Sequence, residues 1–319
     1  MKRIPRDKAM EYEFNKNKPP VFEVDLGESF VIETEDASSG YFRSEKKLPI
    51  PEEIPGFDVT PPLANPMGGP VYIRGVAKGD LLVVNIEKIV PDNQGFTAIF
   101  PDSGPLYDSI KWSKLSEPYT RIIKHLPGPS GTTRDGKAVF NEKITWPLRP
   151  FIGTIGLAPQ REVESSAVGQ GPWGGNIDCR DMKEDSKVYI NCYNDGGLLY
   201  IGDVHGTQGD TEFYGVADET RAEVTLSCQV IKNKQIPSLR IEKAESIISL
   251  YSYRPLDVAV ETAIINLMEW MVEDYGIDQR EAYMHVCINP DFRVNTYQMV
   301  KLGRIQYTVG AEIPKKYLI

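Results

Sequence analysis

His205 lies in a short segment, residues 202–212, that combines an imidazole, carboxylates and glycines. Side chains alternate along an extended chain, so Asp203 and His205 would share one face. Carboxylates beside an imidazole suit a divalent cation of intermediate hardness, while a polar turn whose acids face water is the alternative. The apolar run 197–201 leads directly into this segment, and strand ends commonly hold functional groups. The residues therefore favour a metal-binding site around His205.

The other two histidines are expected to lie outside such a site. His285 falls among apolar residues in a segment with helical spacing, which favours a structural histidine. His125 precedes Leu-Pro-Gly-Pro and has no acidic neighbour in the sequence, so it is predicted to lie at the surface.

Two upstream segments also combine acids with turn-forming residues. Residues 171–178 contain consecutive glycines, which supply unusual backbone angles and exposed N–H donors, and then Asn176 and Asp178, which would share a face of an extended chain. An ordinary turn explains this segment equally well. Residues 33–40 are acid-rich at a predicted strand end, where solvated acids are common, so the residues alone do not favour a site there.

Short apolar runs separated by Gly, Pro, Asn and Asp predict strands over the first three quarters of the chain. These runs do not alternate with helical patterns, which favours a sandwich or jelly roll over βαβ units. The predicted strands are 21–26, 29–33, 70–76, 81–90, 96–100, 187–193, 197–201, 223–231 and 245–252.

Helical periodicity appears only near the C-terminus. Apolar residues at three- and four-residue steps predict a first helix with Asp257 as N-cap and Gly276 as terminator. A capping-box pattern at 278–281 predicts a second helix that continues through Val286. The strands that follow are predicted at 293–300 and 303–309.

These elements predict a mainly β fold with two related β-sandwich or jelly-roll-like halves and a C-terminal α+β unit. The similar segments 78–86 and 184–192 fit two related halves, although chance explains them as well. An insertion at about 102–147 shows Pro- and Gly-rich punctuation without periodicity and is expected to overhang a site. The expected units are 1–150 with this insertion, 151–252 with the site motifs, and 253–319 with the helix pair.

Composition limits the classes of protein to which the chain can belong. It has 319 residues, 41% hydrophobic and 25% charged, as in an average soluble globular protein. A net charge of −9 argues against nucleic acid as a partner, because phosphate binding needs a basic face. No apolar run approaches the ~20 residues that cross a bilayer, and residues 1–20 lack a secretory signal. Four scattered cysteines do not form a disulfide framework, so a cytoplasmic protein without membrane partners is expected.

Several blocks of the sequence resemble the acetamidase/formamidase family. Residues 202–212 match its signature Gly-Asp-x-His-x-x-Gln-Gly-Asp-x-Glu, and residues 174–178 match its Gly-Gly-Asn-hydrophobic-Asp block. Residues 150–159 are similar to its Pro-Phe-x-Gly-x-x-Gly-hydrophobic-Ala-Pro block. Shorter matches extend the resemblance over most of the chain, in order. They lie at 65–73, 79–80, 281–283 and 291–294.

This resemblance implies a fold, an activity and a cofactor. The fold is mostly β with two related sandwich-like halves, and the reaction is hydrolysis of short aliphatic amides, formamide or acetamide, to carboxylate and ammonia. A divalent metal is implied, with zinc expected and manganese or calcium as alternatives, as is a homo-oligomer of two or more copies. The chain departs from the family pattern at Val204, Gly206, Thr207 and Thr211, which leaves the size of the substrate open.

With this resemblance, the candidate segments support a hypothesis for the role of each residue. The expected metal ligands are His205, Asp178 and Asp36. Glu212 or Asp203 is expected to accept a proton from water and pass it to the departing nitrogen. The residues expected to hold the oxyanion and the substrate amide are Asn176, Gln208, Gly174 and Gly175.

Two other functions fit parts of the sequence. Cys179 adjoins the 174–178 block and would be the nucleophile of a metal-free thiol amidase. A non-catalytic β-sandwich that binds a small ligand through a structural cation such as calcium would also use acid-rich loops.

Overall fold

Strands make up most of the regular secondary structure in the computed structural model, which describes residues 1–319. The strands are β1 (Lys2–Ile4), β2 (Glu13–Phe14), β3 (Phe22–Val24), β4 (Phe30–Thr34), β5 (Met67–Ile73), β6 (Leu81–Ile99), β7 (Tyr119–Leu126), β8 (Lys137–Val139), β9 (Thr145–Pro147), β10 (Phe151–Leu157), β11 (Glu164–Ser165), β12 (Gln170–Gly171), β13 (Gly174–Asn176), β14 (Lys187–Asn191), β15 (Leu199–His205), β16 (Glu219–Ile231), β17 (Arg240–Glu242), β18 (Ser246–Tyr253), β19 (Arg293–Gln298) and β20 (Tyr307–Pro314). The α-helices are α1 (Leu256–Tyr275) and α2 (Gln279–Ile288). Short 3₁₀ helices occupy Arg6–Lys8, Pro51–Glu53, Ile110–Ser116, Thr133–Asp135, Asp210–Glu212 and Lys315–Tyr317. The predicted mainly β fold class is confirmed.

Strands β6 and β16 form a long antiparallel pair through the centre of an 18-stranded hydrogen-bonded sheet. One end of their register places Phe96 opposite Glu219. The sequence predicts two strands here, 81–90 and 96–100, but β6 is continuous because the residues between them go on pairing with neighbouring strands. Register shifts within the pair bend the two strands, as β-bulges do, so that each strand can pair with several neighbouring strands.

Strands from the expected halves 1–150 and 151–252 pair directly with each other. β4 pairs with β16, β5 with β15 and β6 with β14, all antiparallel. The largest core cluster, 33 buried residues, therefore takes its side chains from both ranges. This interleaving brings residues far apart in the sequence to neighbouring positions.

The similar segments 78–86 and 184–192 contribute to β6 and β14, which pair with each other. Equivalent positions of the two segments pair crosswise, so the two strands are related by a local two-fold axis. The matched pairs are Leu81 with Asn191 and Asn85 with Lys187.

The segment 102–147, predicted to lack regular structure, contains β7, β8 and β9. β7 pairs antiparallel with the end of β6, and β8 and β9 extend the sheet from it. Strand β10 is not predicted either, because all seven of its residues are buried and no polar–apolar alternation marks it.

The C-terminal unit packs α1 against β18 and β20, with β19 paired to β20. Helix α1 begins after Pro255, not at the predicted Asp257 cap. It ends at Tyr275, and the predicted terminator Gly276 follows as its C-cap with a left-handed φ of 68°. In α2, Asp278 accepts hydrogen bonds from the backbone N–H groups of Arg280 and Glu281, which confirms the predicted cap. The last predicted strand, 303–309, is shifted towards the C-terminus in β20. Neither helix combines the length and the apolar character that a membrane span requires.

Candidate metal centre

His205 lies at the end of β15, between β10 and β16. Phe151 is opposite it on one side and Glu219 on the other. Asp203, two residues earlier, has a left-handed φ of 55° and places its Oδ1 3.4 Å from Nε2 of His205. The pair predicted from strand alternation therefore does come together, in a locally irregular strand.

Asp178 joins this pair from a separate segment, just after β13. One ligand atom from each of Asp178, Asp203 and His205 lies within 4.8 Å of the other two. All three side chains are buried. We refer to these three residues as the candidate metal centre.

Gln208 orients the imidazole of His205. Its Nε2 donates to the backbone carbonyls of Asp178 at 3.0 Å and Tyr297 at 2.9 Å. Its Oε1 is therefore the acceptor that lies 2.9 Å from Nδ1 of His205, so that Nδ1 carries the hydrogen. In the neutral ring this leaves the Nε2 lone pair directed at the carboxylates, as a metal ligand requires.

The two aspartates share one pattern, in which one oxygen is anchored and the other is not. Oδ2 of Asp203 accepts from Nδ2 of Asn65 at 2.9 Å and from Oγ1 of Thr154 at 3.0 Å. Oδ2 of Asp178 accepts from Nε2 of Gln298. The Oδ1 atoms of both aspartates are buried without a hydrogen-bond partner. Buried, unpartnered carboxylate oxygens are costly, and a cation would compensate for them.

Two further buried acids border the candidate metal centre. Oε2 of Glu219 lies 3.2 Å from Nε2 of His205, and its Oε1 accepts from the backbone N–H of Ala217 at 2.9 Å. The carboxyl of Glu212 is buried near Asp178, and its Oε2 has no hydrogen-bond partner. Sequence reasoning missed Glu219, because only the register of β15 and β16 places it opposite His205.

The charges of the cluster are reflected in its pKa values. Burial raises the pKa of Asp178 to about 7, with His205 lowering it and Asp203 raising it further. Burial, and then Asp178, raise the pKa of Glu212 well above its ordinary value. Burial alone would lower the pKa of His205, but Glu219 and Asp203 outweigh it and raise that pKa well above its usual value. Four acids around one imidazole thus lack a compensating positive charge, which a divalent cation would supply.

Asp36 is the third metal ligand expected from the sequence, but its carboxylate does not join the converging ligand atoms. Asp203 supplies the third ligand atom instead. Oδ1 of Asp36 accepts from the backbone N–H groups of Ser38 at 3.1 Å and Gly40 at 2.9 Å. Its Oδ2 lies 3.8 Å from Nη1 of Arg43. Asp36 therefore caps the turn that follows β4.

Gly174 and Gly175 lie inside the strand ladder of β10, β12 and β13. Both have a positive φ, 107° and 126°, and a Cβ on either would collide with a backbone carbonyl oxygen. Asn176 lines a cavity at the candidate metal centre, donates its Nδ2 to the carbonyl of Ala167 at 2.8 Å, and keeps a buried Oδ1 without a partner. The glycines thus allow close strand packing, while Asn176 presents a free acceptor.

His125, predicted at the surface, is 2% exposed, so that prediction is wrong. Its Nε2 lies 3.0 Å from Oδ2 of Asp218, and its Nδ1 donates to the carbonyl of Asp92 at 2.8 Å. The acid that local sequence lacked comes from a position 93 residues away. Burial lowers the pKa of His125, but Asp218 outweighs it and raises it overall.

Two cavities flank the loop that carries Glu212. One, of about 310 Å³, is lined by the candidate metal centre together with Asn65, Glu219 and apolar side chains. The other, of about 800 Å³, lies beyond Glu212 and includes Phe140 and Trp146 from the segment 102–147 in its walls. Only the smaller cavity contains the convergent ligand atoms, so chemistry at His205 would take place there.

The sequence profile of the acetamidase/formamidase family matches residues 3–170 and 166–302. The chain belongs to this family. The blocks at 174–178 and 202–212 that carried the resemblance contribute Asp178, Asp203 and His205 to one site. The motifs typical of the family therefore also supply the residues whose ligand atoms converge in the structure.

Members of the family with known structures share the fold over almost the whole chain. An acetamidase from Yersinia enterocolitica is 33% identical, with a TM-score of 0.84 over 98% of this chain and 90% of that one. An acetamidase from Bacillus halodurans is 26% identical, with a TM-score of 0.86 over 99% of this chain and 98% of that one.

Curated relatives match a smaller part of this chain. A Schizosaccharomyces pombe protein provisionally named a formamidase is 26% identical over 265 residues, or 66% of this chain and 61% of its own length. The acetamidase of Mycolicibacterium smegmatis is 24% identical over 249 residues, or 61% and 59%. The matched regions thus span about three fifths of the length of these relatives.

Proposed function

We propose that this protein hydrolyses carboxamides to carboxylate and ammonia in the 310 Å³ cavity, with a divalent cation at the candidate metal centre. The names of its relatives, formamidase and acetamidase, support the reaction. The observation that carries the proposal is the convergence of ligand atoms from Asp178, Asp203 and His205 at a cavity, where each aspartate also keeps a buried oxygen without a partner.

The donor set fits such a cation. Asp178, Asp203 and His205 supply two carboxylate oxygens and an imidazole nitrogen, and they leave room for substrate or water. One imidazole among carboxylates favours zinc or manganese over calcium, which prefers oxygen ligands alone. A cation bound there would polarise the amide carbonyl and lower the pKa of water from about 15.7 toward about 7.

Glu212 is the proposed proton carrier. It lines the cavity, its Oε2 has no hydrogen-bond partner, and burial raises its pKa well above the usual value, so that it binds a proton more readily than an exposed carboxylate. It would accept a proton from water as the oxygen adds to the carbonyl carbon, and donate it to the nitrogen as the C–N bond breaks. Asp203, the other acid expected in this role, has one oxygen anchored by Asn65 and Thr154, which favours Glu212.

Asn176 and Gln208 take different roles in this proposal. The free Oδ1 of Asn176 can accept a hydrogen bond from the amide N–H₂ of the substrate, whereas its Nδ2 is committed to Ala167. All polar atoms of Gln208 are committed to His205 and to two carbonyls, so Gln208 positions the imidazole.

The thiol mechanism is not supported by the environment of Cys179. Its side chain is fully buried. Burial, and then the charge of Asp181, raise the pKa of the thiol well above its ordinary value, and a thiolate is the form that attacks.

We also propose that the protein forms a homo-oligomer, as the family resemblance implies. Helix α2 exposes Tyr283, Met284 and Ile288, which are 69%, 52% and 77% accessible. An exposed apolar surface of this kind is typical of a face covered by another chain.

Metal content and ammonia release from acetamide test the function together. We expect one divalent cation per chain in the wild type, and less than about a tenth of both cation and activity in His205→Ala, because the variant loses the imidazole ligand. His285→Ala is the matched control, since His285 lies in α2 outside both cavities. Full cation content and full activity in His205→Ala would contradict the proposal.

A further inference from the structure

The cavity at the candidate metal centre is larger than formamide or acetamide requires. Its volume of about 310 Å³ equals that of about ten water molecules at about 30 Å³ each. Formamide and acetamide carry at most one carbon beyond the carboxamide group. Sites of about 300–1,000 Å³ are typical of larger organic ligands.

Apart from Asp102 and the hydroxyl groups of Ser38, Ser103 and Tyr214, the walls of the cavity away from the candidate metal centre are apolar. They come from three segments that are distant in the sequence, around residues 57, 100 and 302. The rings of Phe57 and Phe100 are nearly parallel, 7° apart, with centroids 6.0 Å from each other. No Lys or Arg lines this cavity, so it offers no cation for a charged substrate tail. The main apolar lining residues are Phe57, Phe96, Phe100, Val300, Leu302 and Ile305.

The polar residues at the candidate metal centre are buried, whereas one apolar wall residue, Leu302, reaches the solvent-exposed mouth of the cavity. His205 and Asp178 are 1% and 3% exposed, whereas Leu302 is 47% exposed. Asn176, whose free Oδ1 would accept the amide N–H₂, is 5% exposed and lies with the polar residues. This places the nitrogen of a bound amide at the buried end, and the apolar walls next to the acyl group.

From this arrangement we infer that the preferred substrates are primary amides with an uncharged, apolar acyl group of several carbons, aliphatic or aromatic. The inference rests on the proposed amide hydrolysis and deepens it by naming the substrate class. Water adds to the carbonyl carbon, the C–N bond breaks, the nitrogen takes a proton and leaves as ammonia, and the carboxylate of the longer chain remains. The apolar walls contribute by removing the acyl chain from water.

A homologous series of amides tests the inference with the metal-loaded wild-type protein. Measured kcat/KM should rise about fourfold for each methylene added between acetamide and hexanamide, since burying one methylene is worth that factor. Hexanamide should therefore exceed acetamide by about two orders of magnitude. A series that peaks at formamide or acetamide would overturn the inference and leave the proposed function standing. Release of no ammonia from any amide would overturn both.

Substitutions at the exposed end of the cavity give a second test. Leu302→Trp should fill part of the mouth and lower the ratio of kcat/KM for hexanamide to that for acetamide at least about tenfold. Phe57→Ala, which removes apolar wall area, should lower the same ratio. Ile110→Trp adds the same side chain at a position that is 96% exposed and outside the cavity, and it should leave the ratio unchanged. An unchanged ratio in both cavity variants would overturn the inference.

Discussion

The imidazole of His205 is held by an amide on one side and faces carboxylates on the other. Gln208 has its amide nitrogen committed to two backbone carbonyls, so it can only accept from Nδ1. This selects the tautomer whose Nε2 is free to bind a cation without further reorganisation. A residue that touches neither substrate nor cation thus controls the ligand.

Gln208→Glu tests this control. The substituted carboxylate still accepts from Nδ1 of His205 but leaves the carbonyls of Asp178 and Tyr297 without a donor. We expect the dissociation constant for the bound cation to rise about 10–100-fold, as measured by competition with a chelator. Gln160→Glu, at an exposed position away from both cavities, makes the same chemical change and should have no effect. Equal constants for the two variants would contradict the assignment.

The environment of Asp80, away from the candidate metal centre, leads to a prediction of how the free energy of unfolding depends on pH. Burial would raise its pKa, but hydrogen bonds from Lys232 and from the backbone N–H groups of Asn233 and Ala77 lower it overall. A lowered folded-state pKa means that the stabilisation is present above the unfolded value, near 3.9, and is lost as pH falls through the folded value. Asp80→Asn should therefore lower the free energy of unfolding by about 1 kcal/mol at pH 7, with the difference shrinking below about pH 4. Urea unfolding at several pH values measures this, and a difference that grows at low pH would contradict it.

At the scale of elements, β10 lies beside both segments that supply the aspartates. It pairs with β13, which precedes Asp178, and with β15, which carries Asp203. Gly153 in β10 has no side chain where the two acids approach: a Cβ there would lie 2.7 Å from Oδ1 of Asp178 and 2.8 Å from Oδ2 of Asp203. The bare backbone of β10 therefore leaves space for both carboxylates.

Gly153→Ala should displace these carboxylates and lower both cation affinity and amide hydrolysis, each by at least about tenfold. Gly209→Ala is the matched control, because Gly209 has a φ of −79° and no atom within 4 Å of an added Cβ. Chelator competition and ammonia release measure the two effects. Wild-type values for Gly153→Ala would show that β10 does not control the spacing of the acids.

At the scale of the whole molecule, the C-terminal unit completes the site in the β domain. β19 brings Gln298 to Asp178 and the carbonyl of Tyr297 to Gln208. The same unit exposes the apolar face of α2 to solvent. One surface of this unit thus supports the candidate metal centre, while another is available for a second copy of the chain.

Light scattering after gel filtration tests the proposed assembly. The wild type should have a mass at least twice the 35.8 kDa of one chain. Ile288→Lys places a charge on the apolar face of α2 and should reduce that mass towards one chain, because a buried unpaired charge is costly. Ile110→Lys, at a position that is 96% exposed in the segment 102–147, should keep the wild-type mass. A wild-type mass of one chain would contradict the assembly.

Local pattern in the sequence determined the mainly β class, the position of half of the strands, the cap of α2 and the end of α1. It also brought attention to the segments that hold Asp178, Asp203 and His205. These features depend on residues within a few positions of one another, where alternation, capping chemistry and glycine conformations act directly.

Only the tertiary structure decided which distant residues meet. Asn65 reaches Asp203 across 138 positions, and Gln298 reaches Asp178 across 120. Glu219 joins His205 through the register of β16, and His125 finds its acid partner in the interior rather than lying at the surface. No local periodicity encodes such pairs, because sheet register and strand order set them, and these depend on how the whole chain buries its apolar faces.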